Sequence, residues 1–405
     1  MKRDRSPIGG PVPWSVRVRD QLLRRSVVLG NATDREVNRI LAFLDRELFP
    51  VLESKLASRL AKMESAEGGI APTAIQTDRY REMIRELDEA IAASTTKLGE
   101  QWSRQLRSLG QREGIRTAKI LSETMPRGIN IGVNLPHVNT LRAIATARPM
   151  QGRFLKDWVK DWTTATRRTV QTQINVGIAA GESTKQITRR VVGAADKAGQ
   201  YIGSTPKEIK RNAETIARTS ANHVTNKARE YTYDANQDII QAYQWSSTLD
   251  ARTSEICASF DGQTWLVGKA HPSPPAHPRC RSLLLPITKG IKELSGGKLK
   301  GYPEEAVRAA DGKTPNRISY GDWLKGQPRS VQNKVLGPGK AEIFRAGRVP
   351  ISKFIDARGK PRTLAELTKL DAKYAKRGAS SPRDRVKTNP SAPRRTDAAV
   401  AAGRA

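Results

Sequence analysis

Residues 245–262 read Trp245-Ser-Ser-Thr-Leu-Asp250-Ala-Arg252-Thr253-Ser-Glu-Ile-Cys257-Ala-Ser-Phe-Asp261-Gly262, and residues 274–282 read Pro274-Pro275-Ala-His277-Pro278-Arg279-Cys280-Arg281-Ser282. Just before them, at about Asn236, helical periodicity stops. Ala242, Tyr243 and Trp245, and then Trp265, Leu266 and Val267, have the look of short strands around loops. Pro and Gly crowd the stretch from Gly268 to Pro286, which predicts tight turns. The expected fold is therefore mainly α, with a small α+β Cys/His loop module near residues 240–286, in an extended, multi-part architecture.

Cys257, His277 and Cys280 are the chemically distinctive residues of this module. His277 and Cys280 are spaced so that a tight Pro-bearing loop can turn both toward one ion, and Cys257 can close the site from a neighbouring turn. Zinc favours thiolate and imidazole sets of this kind in tetrahedral geometry. A fourth ligand would come from His271, Asp261 or water. Two other readings stay open: the three side chains simply pack together, since buried Cys behaves as a small apolar residue, or Cys257 and Cys280 form a disulfide in an oxidised particle. Asp250 and Arg252 suit turn capping, with Arg252 pairing to Asp250 or Asp261 in a clamp over the cluster. Nothing in their spacing prefers acid–base catalysis, and the expectation is a non-enzyme.

Working outward, helical patterns dominate. Thr33 and Glu36 have capping-box spacing, and Val37, Ile40, Leu41, Leu44, Leu48, Leu52, Leu56 and Leu60 follow at helical intervals. Pro50 should kink or split that helix, and Gly68-Gly69 should end it. A second helix is expected from Thr77 to about Leu109, broken at Gly110, with more helix to Thr124 and a connection over 125–149. A third block starts near Phe154. A short helix capped by Ser183 runs to Val192, a loop spans Gly193 to Pro206, and helix returns from Lys207 to about Asn236. Helix is expected within Tyr320 to Leu336, Gly337-Pro338-Gly339-Lys340 reads as a turn, and a further region spans Phe344 to Leu367. The expected units are an irregular arm (1–30), a helical domain (31–150), the module-bearing domain (151–290), a small C-terminal region (291–375) and a basic disordered tail (376–405).

The chain has 405 residues, with 71 Lys and Arg against 40 Asp and Glu, for a formal net charge of +31. A field of that sign attracts polyanions, nucleic acid first among them. Arg167, Arg168, Arg189, Arg190, Lys207, Lys210 and Arg211 fall on expected helices and are the candidate nonspecific phosphate contacts. Two cysteines exclude a disulfide-stapled scaffold. The N-terminus carries Pro7, Pro11 and Pro13 where a signal peptide needs an apolar run, and no stretch reaches a membrane span, so no membrane partner is expected. The absence of GxxxxGK[ST] and HExxH argues against a packaging ATPase and a zincin.

In order along the chain, these fragments resemble the phage head morphogenesis family, the Mu F-like minor head proteins of tailed bacteriophages. The helix Ala217-Arg218-Thr219 … Asn222 … Asn226-Lys-Ala-Arg229 matches its lead-in. Trp245, Asp250, Arg252, Thr253, Asp261 and Gly262 match its middle, and Pro275, His277, Pro278 and Arg281 its close. Many members carry additional cysteines where this chain has Ser254 and Ser282. The resemblance implies a low-copy, capsid-associated head protein acting in head or procapsid assembly. Its implied partners are the portal protein, the major capsid or scaffolding protein, and packaged DNA bound nonspecifically. The implied location is the virion, and the host cytoplasm during assembly. The competing reading is a metal-dependent nuclease or toxin-like effector fused to such a module. All four histidines precede Pro286, which leaves the C-terminal region without a His-based acid–base set.

Overall fold

In the computed structural model, residues 13–67, 70–299, 319–356 and 359–379 are described. The described residues are 67% helical, so the mainly α expectation holds. Pro13 precedes the first helix, α1 (Trp14–Phe43). The irregular arm expected over 1–30 is thereby corrected from Trp14 onward; residues 1–12 lie outside the described residues. Trp14, Val18 and Leu22 recur every fourth residue, are buried, and share a core with Ile120, Tyr243 and Trp245. The arginines between them hid that stripe from a reading of composition. Thr33 and Glu36 fall inside α1 rather than at its start.

At Pro50 the run changes helix type instead of breaking. Proline lacks an N–H and its ring crowds the carbonyl four residues back. A π turn at Leu44–Leu48 immediately precedes α2 (Phe49–Glu67), and its wider loop absorbs the conflict without breaking the helical path. Gly68 and Gly69 lie outside the described residues. The long helix α3 (Asp78–Thr124) begins at Thr77, whose Oγ1 accepts from the Tyr80 N–H at 3.2 Å. It passes straight through Gly110, which corrects the expected break. A Cβ at Gly110 would sit 2.6 Å from the Leu141 carbonyl oxygen, and one at Gly114 would sit 2.5 Å from the Leu141 side chain. These glycines let α4 (Val138–Ala147) lie against α3. That helix occupies the stretch expected to be only a connection.

Helix α5 (Leu155–Ala179) leads to α6 (Thr184–Val192), where Ser183 is the cap as anticipated and Gln186 returns the bond to the Ser183 N–H. The loop after it contains a short hairpin, β1 (Ala194–Ala195) with β2 (Tyr201–Ile202). Gly193 has φ +76°, and a side chain there would meet the Ile202 carbonyl at 2.1 Å. Helix α7 (Ser204–Asp234) starts three residues before Lys207. The module follows: β3 (Ile240–Ser246), α8 (Glu255–Phe260), β4 (Thr264–Leu266) and β5 (Leu283–Thr288). Its sheet is antiparallel in the order β4–β3–β5. Strand β5 escaped the sequence because Pro286 lies within it, opposite Tyr243; an edge strand tolerates a proline whose missing N–H would face outward.

Beyond the sheet come α9 (Ile291–Leu294), α10 (Tyr320–Lys325), α11 (Arg329–Leu336), α12 (Pro338–Ala346) and α13 (Leu364–Ala379). Pro338 is the first residue of α12 rather than part of a turn, a position where its fixed φ suits helix initiation. The expected tail begins inside α13; residues 380–405 lie outside the described residues, as do 300–318.

Three apolar cores result. The largest runs from Val37 to Ala228 and joins α1, α2, α3, α5, α6 and α7. It crosses residue 150, so the boundary expected there separates no core. A second core holds Trp14, Tyr233, Trp245, Cys257, Cys280 and Leu284, and a third gathers Tyr320, Leu336, Phe344, Phe354 and Leu367 around Ala258.

Candidate functional site

The module is fastened to α7 by side-chain amides. Asn222 and Asn226 both donate to the Ser282 carbonyl, at 3.2 and 3.3 Å, and Asn226 accepts from the Leu284 N–H at 3.0 Å. Strand β5 therefore finds on a helix the partners that its outer edge lacks. Arg279, at φ +59°, donates its N–H to Thr219 Oγ1 and its guanidinium to Thr215 and Glu214. One turn further along α7, Arg218 bridges Glu214 and Asp34 of α1.

Within the module, Asp261 accepts from the Ser247 N–H at 2.7 Å and from the Tyr320 N–H at 2.8 Å, one with each oxygen. Its carboxylate is thus committed to backbone, which corrects its candidacy as a metal ligand. Gly262, at φ +80°, donates to the Trp245 carbonyl and turns the chain from α8 into β4. Trp245 is fully buried, stacks on Phe260 and donates to Ser247 Oγ. Thr253 donates to the Thr248 carbonyl. The Pro274–Pro275 peptide is cis, and the Pro275 carbonyl accepts from Gln151. Pro278 offers its carbonyl to His277 Nδ1 at 2.8 Å.

The expected clamp exists, but its arginine is Arg281. Arg281 meets both oxygens of Asp250 at 2.7 Å. That bidentate bond outweighs burial and, helped by the Arg252 N–H, sets the Asp250 carboxyl down at about 2. Arg252 keeps its side chain 80% exposed and only skirts Asp250 at 3.5 Å; two residues along an irregular turn is too short for it to face the same carboxylate squarely.

Cys257, His277 and Cys280 do come together, their ligand atoms all within 4.8 Å of one another. Cys257 Sγ lies 3.2 Å from His277 Nε2 and 3.6 Å from Cys280 Sγ, and both thiols are free. Ser254 caps α8 by accepting from the Cys257 N–H, which aims Cys257 inward. A tetrahedral zinc about 2.3 Å from sulfur and about 2.0–2.1 Å from nitrogen separates its donors by roughly 3.5–3.8 Å. The observed spacing is close to that, so the donor set fits the ion. The Pro278 carbonyl beside Nδ1 favours a proton there, leaving Nε2 free to ligate. Cys280 is drawn toward thiolate by hydrogen bonding from Cys257 and then from His277, whereas the same bond to Cys280 and burial push Cys257 upward. Burial opposes a charge on His277, but Cys280 outweighs it and raises the imidazole.

His271 is not part of this cluster. Its ring stacks on Tyr243 at 4.6 Å, and its Nε2 faces Glu230 at 3.8 Å. Among the described residues the cluster has three protein ligands.

The candidate phosphate contacts divide. Arg167 donates to the Asp88 carbonyl, Arg190 is paired with Glu182, and Lys210 lies 2.6 Å from Asp45. Arg167 and Lys210 fasten helices together, and Arg190 ties α6 to the loop before it. Arg168, Arg189, Lys207 and Arg211 are exposed. Sequence reasoning gave no role to Glu113 or Arg229. Both are fully buried, with Arg229 Nε donating to Glu113 at 2.8 Å and Arg25 donating to the other oxygen at 3.0 Å. The only available signal was Arg229 closing the quoted helix motif.

Residues 168–285 match the family described as Phage Mu protein F like protein. That segment begins in α5, includes all of α7 and ends within β5, so it contains the whole Cys/His cluster and the asparagine fastening; it is similar to a family of phage head morphogenesis proteins. Comparison with curated proteins and with solved structures gives no match. No helix among the described residues is long and apolar enough to cross a membrane.

Proposed function

We propose that the chain is a minor, capsid-associated component of a tailed-phage head that acts in head assembly, bound to the portal or to capsid or scaffolding protein, with packaged DNA against its basic surface. The observation that carries this reading is the family match over 168–285, which takes in α7, the asparagine fastening and the Cys/His cluster. The remaining helices, on this reading, supply the partner-binding surface. The net charge of +31 supports residence among phosphates. Mass spectrometry of purified virions and procapsids is the direct test, and absence of the chain from both would defeat the reading. Steeply salt-dependent DNA binding is expected, weakened by reversing the charges of Arg168, Arg189, Lys207 and Arg211.

We further infer that Cys257, His277 and Cys280 hold one zinc ion. The bound ion would cross-link α8 to the loop preceding β5, a structural rather than catalytic service. Metal analysis of purified protein should return one zinc per chain, lost on Cys280→Ser, with chelation lowering the melting temperature. Zinc-free protein of unchanged stability would refute it. Divalent-dependent DNA cleavage abolished by His277→Ala would instead favour the nuclease alternative.

A further inference from the structure

A cleft of about 980 Å³ separates α1 from α7 and the module. Its two walls differ in character. On one side α1 presents Leu23, Val27 and Gly30 in a row at i, i+4 and i+7, and Leu249 of the module also lines the cleft. Val27 is 65% exposed, the most of any large apolar side chain among the described residues; Leu23 is 39% and Leu249 37% exposed. A Cβ built on Gly30 would meet nothing within 4 Å, so another backbone can approach closely there. Exposed apolar groups clustered in a concave place mark a contact surface.

On the other side stand five guanidiniums: Arg218, Arg229, Arg252, Arg279 and Arg281. The carboxylates among them are shared. Arg218 and Arg279 divide Glu214, with Asp34 also on Arg218. Arg281 and Arg252 divide Asp250, and Arg229 divides Glu113 with Arg25. Positive charge is therefore in excess, and Arg229, fully buried, has no hydrogen-bond partner at Nη1. Guanidiniums short of acceptors favour carboxylate or phosphate.

The walls together discriminate between those two. Among the described residues no aromatic side chain lines the cleft, so these offer no platform for stacking bases. A phosphodiester backbone has nothing to place against Val27 and Leu23. A helix with apolar residues on one face and carboxylates beside them satisfies both walls. We propose that this cleft is the docking groove for an acidic amphipathic helix of a partner protein. The proposal deepens the assembly reading and rests on it, because it names the chemistry of the partner such a protein engages.

The test uses the full chain and a fluorescein-labelled helical peptide of about 20 residues, with Leu at i, i+4 and i+7 and Glu on the flanks. Controls are the same peptide with Lys for Glu, polyglutamate, and duplex DNA. The Leu/Glu peptide should bind and the Lys version should not. Val27→Asp should weaken binding about tenfold or more, and Arg252→Glu should weaken it less while flattening its salt dependence, both with unchanged melting temperatures. No binding, equal binding of polyglutamate, indifference to Val27→Asp, or displacement of the peptide by stoichiometric DNA would each overturn the groove. Particle incorporation separates this from the broader reading. A Val27→Asp chain that loses the peptide yet still enters procapsids sinks the groove alone, whereas a parent chain absent from particles sinks the assembly role.

Discussion

The helical body and the Cys/His module are stabilised in different ways. In the body, long helices bury continuous apolar stripes: Leu44, Leu48, Leu52, Leu56 and Leu60 are all fully buried in one core with Leu87, Ile91 and Ile174. Each such side chain contributes about 1.5–3 kcal/mol, and the loss of any one is shared among many neighbours. In the module, short strands and turns leave backbone groups that individual side chains must satisfy. Asn226, Asp261 and Arg281 each serve a specific partner that no neighbour can replace. The contrast teaches that substitutions in the body should scale with volume, while those in the module should depend on which hydrogen bond is lost.

One site cuts across that contrast and should give the largest effect. Glu113 belongs to the body, yet it holds the fully buried Arg229 of α7 and the partly exposed Arg25 of α1. Removing one member of a buried pair strands the other, at a cost of about 3–5 kcal/mol. Glu113→Ala should therefore lower urea-unfolding stability by that amount. A cost below about 1 kcal/mol would show that water reaches Arg229. The paired replacement Glu113→Leu with Arg229→Met should recover most of the loss, because the two fully buried charges are then gone and Arg25, partly exposed, can turn to solvent.

Two intermediate effects sharpen the comparison. Gly110→Ala tests the body by volume alone: its Cβ would press on the Leu141 carbonyl, and overpacking of this kind costs about 1–3 kcal/mol. Asn226→Ala tests the module by hydrogen bonding alone. It leaves the Leu284 N–H without its acceptor, a loss of about 1–3 kcal/mol with little volume change. Asn226→Asp keeps that acceptor and loses the donor to Ser282, so it separates the two halves of the interaction. If Asn226→Ala matched Asn226→Asp in denaturant midpoint, the Leu284 bond would carry no special weight.

What the sequence revealed follows the same division. Apolar stripes at helical spacing located α2, α3 and α5 because burial there is a property of many residues at once. Ser183 and Thr77 marked helix starts because capping is local. The meeting of Cys257, His277 and Cys280 was also legible, since a short loop brings His277 and Cys280 together. Long-range polar partnerships were not. Nothing near Glu113 in the sequence signals Arg229, and Arg252 looked a better partner for Asp250 than the distant Arg281. Gly110 was misread because a glycine that breaks a helix and one that admits a neighbouring helix are identical until the neighbour is in place. Strand β5 was hidden by Pro286, whose harmlessness depends on its being at an edge.

The smallest expected effect lies in the module's surface clamp, and it fades in acid. Arg281 holds the Asp250 carboxyl at about 2, against an ordinary 3.8. A depressed carboxyl stabilises the fold above its unfolded value, and that contribution disappears as pH falls toward its folded value. The clamp should therefore be at full strength above about pH 4 and lost between about pH 4 and pH 2. Asp250→Asn removes this part of the acid sensitivity. Its stability difference from the parent should shrink steadily over that window and be flat above it, while Arg252→Ala, whose side chain is mostly in solvent, should track the parent throughout. Parallel pH profiles for Asp250→Asn and the parent would mean that Asp250 and Arg281 meet without stabilising the fold, as many solvent-facing ion pairs do. The module would then depend on Asn226, Asp261 and the Cys/His cluster alone.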